Sequence, residues 1–265
     1  MRSLMSYFRK DPKVAVIRLQ GTIAAGARGG ISDAALAPLI EKAFSRGKPV
    51  AVALVINSPG GSPVQSSLIG ARVRRLAAEK KIPVHAFVED VAASGGYWLA
   101  CAGDDIWVDE SSIVGSIGVI FASFGFNQFM DRHGIERRVH TAGRSKSLAD
   151  PFLPEKVEDV ERLKALQEPI HRAFIEQVKS RRGARLDPAA DLFNADIWVG
   201  SGAVTVGLAD GVAHLVPKLK QLYGDKVRLI PYGQRRSLLQ RLGAQVLGGA
   251  LGEIEDRAAW ARFGL

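Results

Sequence analysis

The stretch that decides the fold is residues 90–101, Asp-Val-Ala-Ala-Ser-Gly-Gly-Tyr-Trp-Leu-Ala-Cys. It follows an apolar run at residues 84–88 and opens a segment that suits a buried helix, so Ser94 is predicted to lie on a strand-to-helix turn. Such a Ser is either a helix cap or a nucleophile. Gly95 and Gly96 favour the nucleophile, because they clear the approach to the hydroxyl and leave the Gly95 N–H free to meet a carbonyl oxygen.

A second loop of the same kind precedes the first. Residues 57–61, Asn-Ser-Pro-Gly-Gly, follow the continuous apolar run 50–56, which is typical of a parallel strand covered on both faces. Ligands of parallel α/β folds bind beyond the carboxyl ends of the strands, where such loops gather. An ordinary Pro-Gly turn is the alternative. The pairing with the Ser94 loop favours a second oxyanion donor, from the N–H of Gly60 or Gly61.

The rest of the chain reads as alternating strands and helices. A strand at residues 14–19 precedes a helix that Ser32 caps and that stops at Gly47, so the pattern is βαβ and the sheet is parallel. Further strands are predicted at residues 105–108, within the Gly-rich segment 111–120 and at residues 136–141. Further helices are predicted at residues 63–79, 128–133 and 154–182, the last kinked or divided at Pro169, and the tail from residue 237 is helical by composition.

Composition excludes several classes. With 265 residues and 47% apolar residues, the chain has ample material for a core. Cys101 is the single cysteine, so neither an intrachain disulfide nor a cysteine-based zinc site is possible, and its apolar setting predicts an inert thiol. The formal charge of +9 is scattered without stacking aromatics, which speaks against nucleic-acid binding and leaves open a peripheral contact with an anionic membrane. Residues 1–12 are basic without an apolar run, so we expect a cytoplasmic protein with no membrane anchor there.

The serine needs a base. The five histidines are His85, His133, His140, His171 and His214. None of them stands in a loop that suits catalysis, so a Ser-His-Asp triad is not favoured. Lys146 lies in a loop of small residues between Ser145 and Ser147, whose hydroxyls would orient its amine. It acts as a base only when neutral, a form that burial beside apolar groups favours; an ordinary solvated lysine remains the alternative.

Several motifs together resemble one family of serine peptidases. They are residues 57–61, residues 92–98 (Ala-Ala-Ser-Gly-Gly-Tyr-Trp), residues 115–119 (Gly-Ser-Ile-Gly-Val), Lys146-Ser147 ahead of Asp150-Pro151-Phe152, residues 174–182, residues 200–203 and residues 207–211. In this combination the chain resembles the signal peptide peptidase A (protease IV) family over roughly residues 13–215.

The resemblance implies an α/β Clp/crotonase-like fold of repeated ββα units, with a parallel sheet and flanking helices. It implies that Ser94 is the nucleophile and Lys146 the general base, and that neighbouring protomers of a ring-like homo-oligomer share each site. Family members are commonly held to a membrane by an N-terminal helix, which this sequence does not show. The expected organisation is an N-terminal extension at 1–12, the peptidase domain at 13–215 and a helical region at 216–265 for oligomer or membrane contact.

The sequence therefore predicts a serine endopeptidase that cleaves signal-peptide remnants or other unfolded or short polypeptides through an acyl-enzyme. Ser94 and Lys146 form its dyad, Gly95 with Gly60 or Gly61 forms its oxyanion hole, and it needs no metal or organic cofactor. Two other functions remain open. One is an inactive oligomeric scaffold or membrane-surface adaptor of the same fold, and the other is a crotonase-like acyl-CoA enzyme, which the Ser94 turn disfavours.

Overall fold

The computed structural model describes residues 11–25, 30–143, 146–233 and 257–265. The chain divides into two compact units. The main unit comprises the residues up to Ile117 and those from Glu176 onward, and the inserted unit is Gly118–Ile175. Ser94 belongs to the main unit and Lys146 to the inserted unit.

The main unit alternates strands and helices up to β4, and β5 follows β4 without a helix between them. These elements are β1 (Lys13–Gln20), α1 (Asp33–Ser45), β2 (Ala51–Ser58), α2 (Pro63–Lys80), β3 (Val84–Ala93), α3 (Gly95–Ala100), β4 (Asp105–Val108) and β5 (Ile113–Gly115). The inserted unit contains α4 (Asn127–Arg132) and the first part of α5 (Val157–Arg182). The chain then forms β6 (Ile197–Val199), α6 (Gly200–Thr205), β7 (Gly211–Val212), α7 (Leu215–Tyr223) and β8 (Arg228–Tyr232).

The strands of the described residues form one eight-stranded sheet. Its order is β6-β5-β3-β2-β1-β8, and β4 pairs with both β3 and β7. Every pairing is parallel except that of β5 with β6. All of β2 is buried, as its unbroken apolar run predicts for a central parallel strand. The predicted α/β fold with a parallel sheet and flanking helices is confirmed.

An irregularity in the pairing of β2 and β3 places the two Gly-Gly loops next to each other. β3 pairs with β2 in register up to Val88, but the next partners are Ser58 and Ala92, so β3 carries extra residues at this point. The side chain of Asn57 bridges the irregularity: its amide donates to Asp90 at 2.5 Å, and its oxygen accepts the N–H of Val91 at 3.4 Å. The carboxyl ends of β2 and β3 consequently lie side by side, each followed by its Gly-Gly loop.

One prediction of local structure is wrong, and two others are confirmed with different bounds. Residues 136–141 form no strand; they are exposed and have no neighbouring strand to pair with among the described residues of the inserted unit. The strand predicted within residues 111–120 is confirmed as β5, and it ends at Gly115 because Gly115 (φ 102°) and Ser116 (φ 51°) turn the backbone away from extended geometry. The long helix predicted at residues 154–182 is confirmed as α5, which begins at Val157 and runs to Arg182 without being divided at Pro169.

The region expected to be helical after residue 216 also contains β8, which pairs with β1 at the sheet edge. The apolar stripe predicted at Leu238, Leu239, Leu242 and Val246 lies outside the described residues. Within the described ranges, no helix is both long and apolar enough to cross a bilayer.

Candidate active site

Ser94 lies on a sharp turn between β3 and α3, as the sequence predicts. Its backbone has φ 51° and ψ −122°, a conformation that residues with a side chain rarely adopt. The residue is partly exposed, whereas every other residue from Val91 to Gly103 is buried. Its side chain makes no helix-capping hydrogen bond, so the capping alternative is wrong. The fold thus leaves one partly exposed serine in an otherwise buried segment, on a strand-to-helix turn of the kind that carries a nucleophile.

Backbone hydrogen bonds hold Ser94 in this conformation. Its N–H donates to the carbonyl of Gly115 at 2.9 Å, and its carbonyl accepts the N–H groups of Tyr97 and Trp98 at 3.0 and 3.1 Å. Strain of this kind costs about 1–3 kcal/mol and persists only where the surroundings impose it. Here β5 imposes it from one side and α3 from the other.

The Gly60-Gly61 loop packs directly on the Ser94 turn. A Cβ built on Gly60 would lie 2.8 Å from Cβ of Ser94 and 2.9 Å from the Gly95 nitrogen. A Cβ on Gly95 would overlap the hydroxyl of Ser66 and lie 3.4 Å from the Gly61 nitrogen. Neither position has room for a side chain, so glycine is required here by close approach of the two loops.

The N–H groups of these glycines differ in their partners. Gly60 donates to the Ser58 hydroxyl at 3.2 Å, and Ser58 is fully buried. Among the described residues, no acceptor takes the N–H of Gly61 or that of Gly95, the first residue of α3. Gly95 is buried, and buried N–H groups are rarely left without an acceptor, whereas Gly61 is exposed to solvent. The two N–H groups together are suited to an oxygen that arrives with a ligand. Of the two donors that the sequence leaves open, the hydrogen bonds favour Gly61.

Each of the two histidines in the main unit forms a hydrogen bond with an aspartate. His85 is buried at the beginning of β3, where Nδ1 lies 2.8 Å from Asp105 and Nε2 lies 2.7 Å from the Tyr223 hydroxyl. Nine positions of extended chain separate His85 from Ser94, which corresponds to a distance of about 30 Å along the strand. His214 is exposed and lies 2.7 Å from Asp109. These contacts agree with the expectation that neither histidine serves Ser94.

Lys146 is exposed on a turn of the inserted unit. Its N–H donates to the carbonyl of Gly143 at 3.3 Å. The residues that follow Lys146 are also held by hydrogen bonds within the inserted unit. The N–H of Ala149 donates to the Asp159 carboxylate at 3.5 Å, and the Arg137 guanidinium pairs with Asp150 at 2.8 Å. Ser145, one of the two hydroxyls expected beside Lys146, lies outside the described residues. The pairing of Lys146 with Ser94 stays a prediction.

The family model described as Peptidase family S49 matches residues 77–223, more than half of the chain and a range that includes Ser94 and Lys146. The chain belongs to Peptidase family S49. The family match agrees with the resemblance to the signal peptide peptidase A family. Several relatives of this S49 member are named as proteases. A putative protease of Methanocaldococcus jannaschii is 34% identical over 64% of the chain and 54% of its own length. The chloroplastic serine protease SPPA of Arabidopsis thaliana is 28% identical over 89% of the chain and 37% of its own length.

A relative from Brucella melitensis is 48% identical over 96% of the chain and is named Na(+)/H(+) antiporter NhaA. The S49 chain spans 37% of the length of that protein. Its name describes the whole Brucella protein, so antiporter activity is not ascribed to this chain.

Solved structures agree with the fold. Two structures of a membrane-bound stomatin-specific protease, a serine-to-alanine mutant and a lysine-to-alanine mutant in complex with a substrate peptide, match with TM-scores of 0.54 and 0.53. They cover 86% and 88% of this chain, and the matches cover 100% and 96% of theirs. At 16% identity they share the fold alone. The predicted Clp/crotonase-like fold is confirmed.

In this S49 member a buried ionic network lies beneath α3. Tyr97 is fully buried and donates its hydroxyl to the carbonyl of Leu208 at 2.8 Å. Arg182 donates to the carbonyl of Gly207 and to Asp210, at 2.8 and 2.7 Å. Burial opposes ionisation of Asp210, but the hydrogen bond and charge of Arg182 outweigh it and hold the pKa of that carboxyl below its usual range.

The carboxyl end of α3 is held by two further arginines. Arg181 donates to the carbonyls of Cys101 and Gly103 at 2.8 and 2.9 Å, and Arg74 donates to that of Ala102 at 3.1 Å. Burial raises the pKa of the Cys101 thiol to about 12, so the thiol stays protonated, as its apolar setting predicts. The helix that begins after the nucleophile is thereby fixed at its far end.

Sequence reasoning missed two residues that shape the site, Ser58 and Ile23. Ser58 lies inside a motif that the sequence singles out, but only the fold shows that its hydroxyl takes the Gly60 N–H. Ile23 follows β1 without any local signal, and its contacts with the glycine loop depend on the parallel pairing of distant segments.

Proposed function

We propose that this S49 member is a serine endopeptidase with Ser94 as nucleophile and Lys146 as general base. One observation carries the proposal: Ser94 is strained, partly exposed, free of any capping role, and adjacent to two N–H groups that lack an acceptor among the described residues. A helix cap explains none of these features. A nucleophile beside an oxyanion hole explains all of them.

In the proposed reaction the neutral amine of Lys146 takes the proton of Ser94 as Oγ attacks the scissile carbonyl. The N–H groups of Gly61 and Gly95 donate to the oxyanion of the tetrahedral intermediate. Lys146 then passes the proton to the leaving amine, the C–N bond breaks, and an acyl-enzyme remains. Water attacks the ester with Lys146 again as base, and the proton returns to Ser94 as the acid leaves. Each oxyanion donor is worth about 2.7–4 kcal/mol of transition-state stabilisation.

The proposed substrates are peptides or unfolded segments of proteins. Names among the relatives support this class, since they include the serine protease SPPA and a putative signal peptide peptidase of Enterococcus faecium. The substrate peptide in one of the solved neighbours points the same way. The reaction written above calls for no cofactor. Contact of the scattered basic groups with an anionic membrane stays a prediction.

We further propose that Lys146 serves Ser94 of a neighbouring protomer in a homo-oligomer. The inserted unit exposes many large apolar side chains, among them Phe121 (51%), Phe124 (62%), Phe126 (42%), Phe129 (57%) and Phe152 (39%). So much aromatic surface in a unit of this size is typical of a protein interface. A second copy of the chain is the occupant that the family resemblance implies.

The first test is covalent labelling. Wild type, Ser94→Ala and Lys146→Ala are incubated with an alkyl fluorophosphonate and their intact masses are measured, with Ser201→Ala and Lys156→Ala as exposed controls. We expect one adduct in wild type and both controls, and none in the two dyad variants. Failure of wild type to react at any pH contradicts the peptidase proposal and favours the scaffold. Labelling that does not increase toward alkaline pH contradicts a lysine base.

A mixing experiment tests the shared site. Ser94→Ala and Lys146→Ala are unfolded, mixed and refolded together, and labelling is compared with that of each variant refolded alone. If Lys146 serves a neighbouring protomer, mixed oligomers contain sites with an intact Ser94 and an intact Lys146, and labelling returns. If both residues come from one protomer, the mixture stays unlabelled.

A further inference from the structure

Residues 22–24 form an extended segment beside the glycine loop. The N–H of Ile23 donates to the carbonyl of Gly60 at 2.8 Å, and the carbonyl of Ile23 accepts the N–H of Ser62 at 2.7 Å. These bonds make a parallel bridge in which Ile23 stands opposite Gly61. Because the neighbours of Gly61 make both bonds, the N–H of Gly61 itself points to the other side of the loop.

The segment is also held on its outer side. The N–H of Ala24 donates to the carbonyl of Ile31 at 3.0 Å, and the N–H of Ile31 donates to that of Thr22 at 2.9 Å. Ile23 therefore occupies the middle of three short parallel segments and has little freedom to move. Any displacement of Ile23 must displace the Gly60-Gly61 loop with it.

The side chain of Ile23 reaches the second donor. Ile23 is 1% exposed, and a Cβ built on Gly95 would lie only 3.2 Å from its Cδ1. The same Cβ would lie 3.4 Å from the Gly61 nitrogen. One residue thus lies against both sides of the proposed oxyanion hole: its backbone forms hydrogen bonds with the Gly61 loop, and its terminal methyl group leaves little room for a Cβ at Gly95.

We infer that Ile23 is a positioning residue that sets the spacing and direction of the Gly61 and Gly95 N–H groups. The inference rests on the proposed function, because it concerns the same hole. Ile23 acts through the two glycines and has no chemical role of its own. The variant Ile23→Val removes Cδ1 but keeps the backbone bonds, so it loosens Gly95 without disturbing the Gly61 loop.

The test separates oxyanion stabilisation from binding. Ile23→Val and Ile23→Ala are compared with Ile40→Val and Ile40→Ala, which remove the same atoms from a fully buried position on α1. Two quantities are measured: the maximal inactivation rate and half-saturating concentration of an alkyl fluorophosphonate, and the inhibition constant of the tripeptide aldehyde acetyl-Leu-Leu-norleucinal relative to its alcohol. The aldehyde forms a tetrahedral adduct with a serine hydroxyl, and the alcohol does not.

A misplacement of about 1 Å can cost about 100-fold in rate, and losing one methyl group allows a smaller shift. We expect Ile23→Val to lower the inactivation rate about 10-fold, with an unchanged half-saturating concentration, and Ile23→Ala to lower it further. The aldehyde should lose affinity by a similar factor while the alcohol binds as before. Both Ile40 variants should lose thermal stability but keep the wild-type rate and the wild-type aldehyde-to-alcohol ratio.

Equal effects of the Ile23 and Ile40 variants would reduce Ile23 to a core residue and overturn the inference. Wild-type rates in Ile23→Ala would overturn it as well. Either result leaves the proposed function intact, since wild type still reacts. Failure of wild type to react with the fluorophosphonate is instead a failure of the proposed function.

Discussion

Gly60 lies against Ser94 so closely that a methyl group at position 60 would place its carbon 2.8 Å from Cβ of Ser94. Two loops that are more than 30 positions apart in the sequence therefore meet without any side chain between them. The contact explains why position 60 is glycine, and Gly61 and Gly96 are crowded in the same way by the carbonyls of Ile23 and Ser58. It also makes the geometry of the nucleophile dependent on β2, a strand that contributes no reacting group.

The variant Gly60→Ala tests this contact. Gly60 has φ 105°, and its new Cβ would overlap backbone atoms of the Ser94 turn as well as Cβ of Ser94. We expect fluorophosphonate labelling to fall by at least about 100-fold, because a shift of about 1 Å at the nucleophile has that effect. Gly224→Ala is the matched control, since Gly224 has φ 88° but no atoms within 4 Å of a new Cβ. It should lose some stability and label normally; equal loss of labelling in both variants contradicts the prediction.

Because the backbone at Ser94 is strained, a glycine at this position should be more stable than a residue with a side chain, although it removes the candidate nucleophile. Glycine adopts φ 51° and ψ −122° more readily than alanine or serine, so Ser94→Gly should raise the free energy of unfolding by about 1 kcal/mol relative to Ser94→Ala. Urea denaturation measures the difference. At the exposed residue Ser201 of α6 the difference should have the opposite sign, with Ser201→Gly less stable than Ser201→Ala, because glycine destabilises a helix by about 0.5–1 kcal/mol. A Ser94→Gly variant less stable than Ser94→Ala would show that the turn is not strained.

Removing one partner of the buried Arg182–Asp210 pair should strongly lower the free energy of unfolding, because the remaining charge is left without its partner. The Arg182 side chain is 2% exposed, and Arg182→Met leaves Asp210 short of its main partner. Removing one partner of a buried pair typically costs about 3–5 kcal/mol in the free energy of unfolding, and Arg182→Met with Asp210→Asn together should cost less than Arg182→Met alone. Urea denaturation of the two single variants and the double variant measures the coupling. Additive losses would mean that the two side chains do not interact.

The same pair has a pH signature. Its carboxyl has a pKa below the usual value of 3.8 in the folded state, so its contribution to stability is present above that value. The contribution is lost as the pH falls through the lower pKa of the folded protein. In Arg182→Met, the free energy of unfolding should therefore fall less on acidification than it does in wild type.

Alkaline stability should depend on Cys101. Burial raises the pKa of its thiol from 9.0 to about 12, so the folded state favours the neutral thiol. That stabilisation is complete below about pH 9 and is lost as the pH rises through about 12. Burial also raises the pKa of Tyr97, which acts in the same direction. We expect the free energy of unfolding to decrease above about pH 9, and to decrease less steeply in Cys101→Ala; an unchanged slope in that variant would contradict the assignment.

Local patterns determined the elements that surround the site. The apolar run of β2, the Ser32 cap of α1 and the turn from β3 into α3 are all readable from neighbouring residues, because burial on both faces and capping are local demands. The same kind of reasoning failed at residues 136–141. A strand exists only where another strand supplies hydrogen bonds, and the described part of the inserted unit offers none.

The sequence by itself predicted Ser94 as the candidate nucleophile, since a serine followed by two glycines after an apolar strand is a local signal. Only the tertiary structure decided how it is held. The β3 irregularity brings Gly60 against Ser94, and the Ser58 hydroxyl accepts the N–H of Gly60, whereas the N–H of Gly61 has no acceptor in the described part of the chain. Ile23 pairs with the Gly61 loop and packs near Gly95. These contacts join segments that are distant in the chain, and no local pattern encodes them because the register of a parallel sheet sets them.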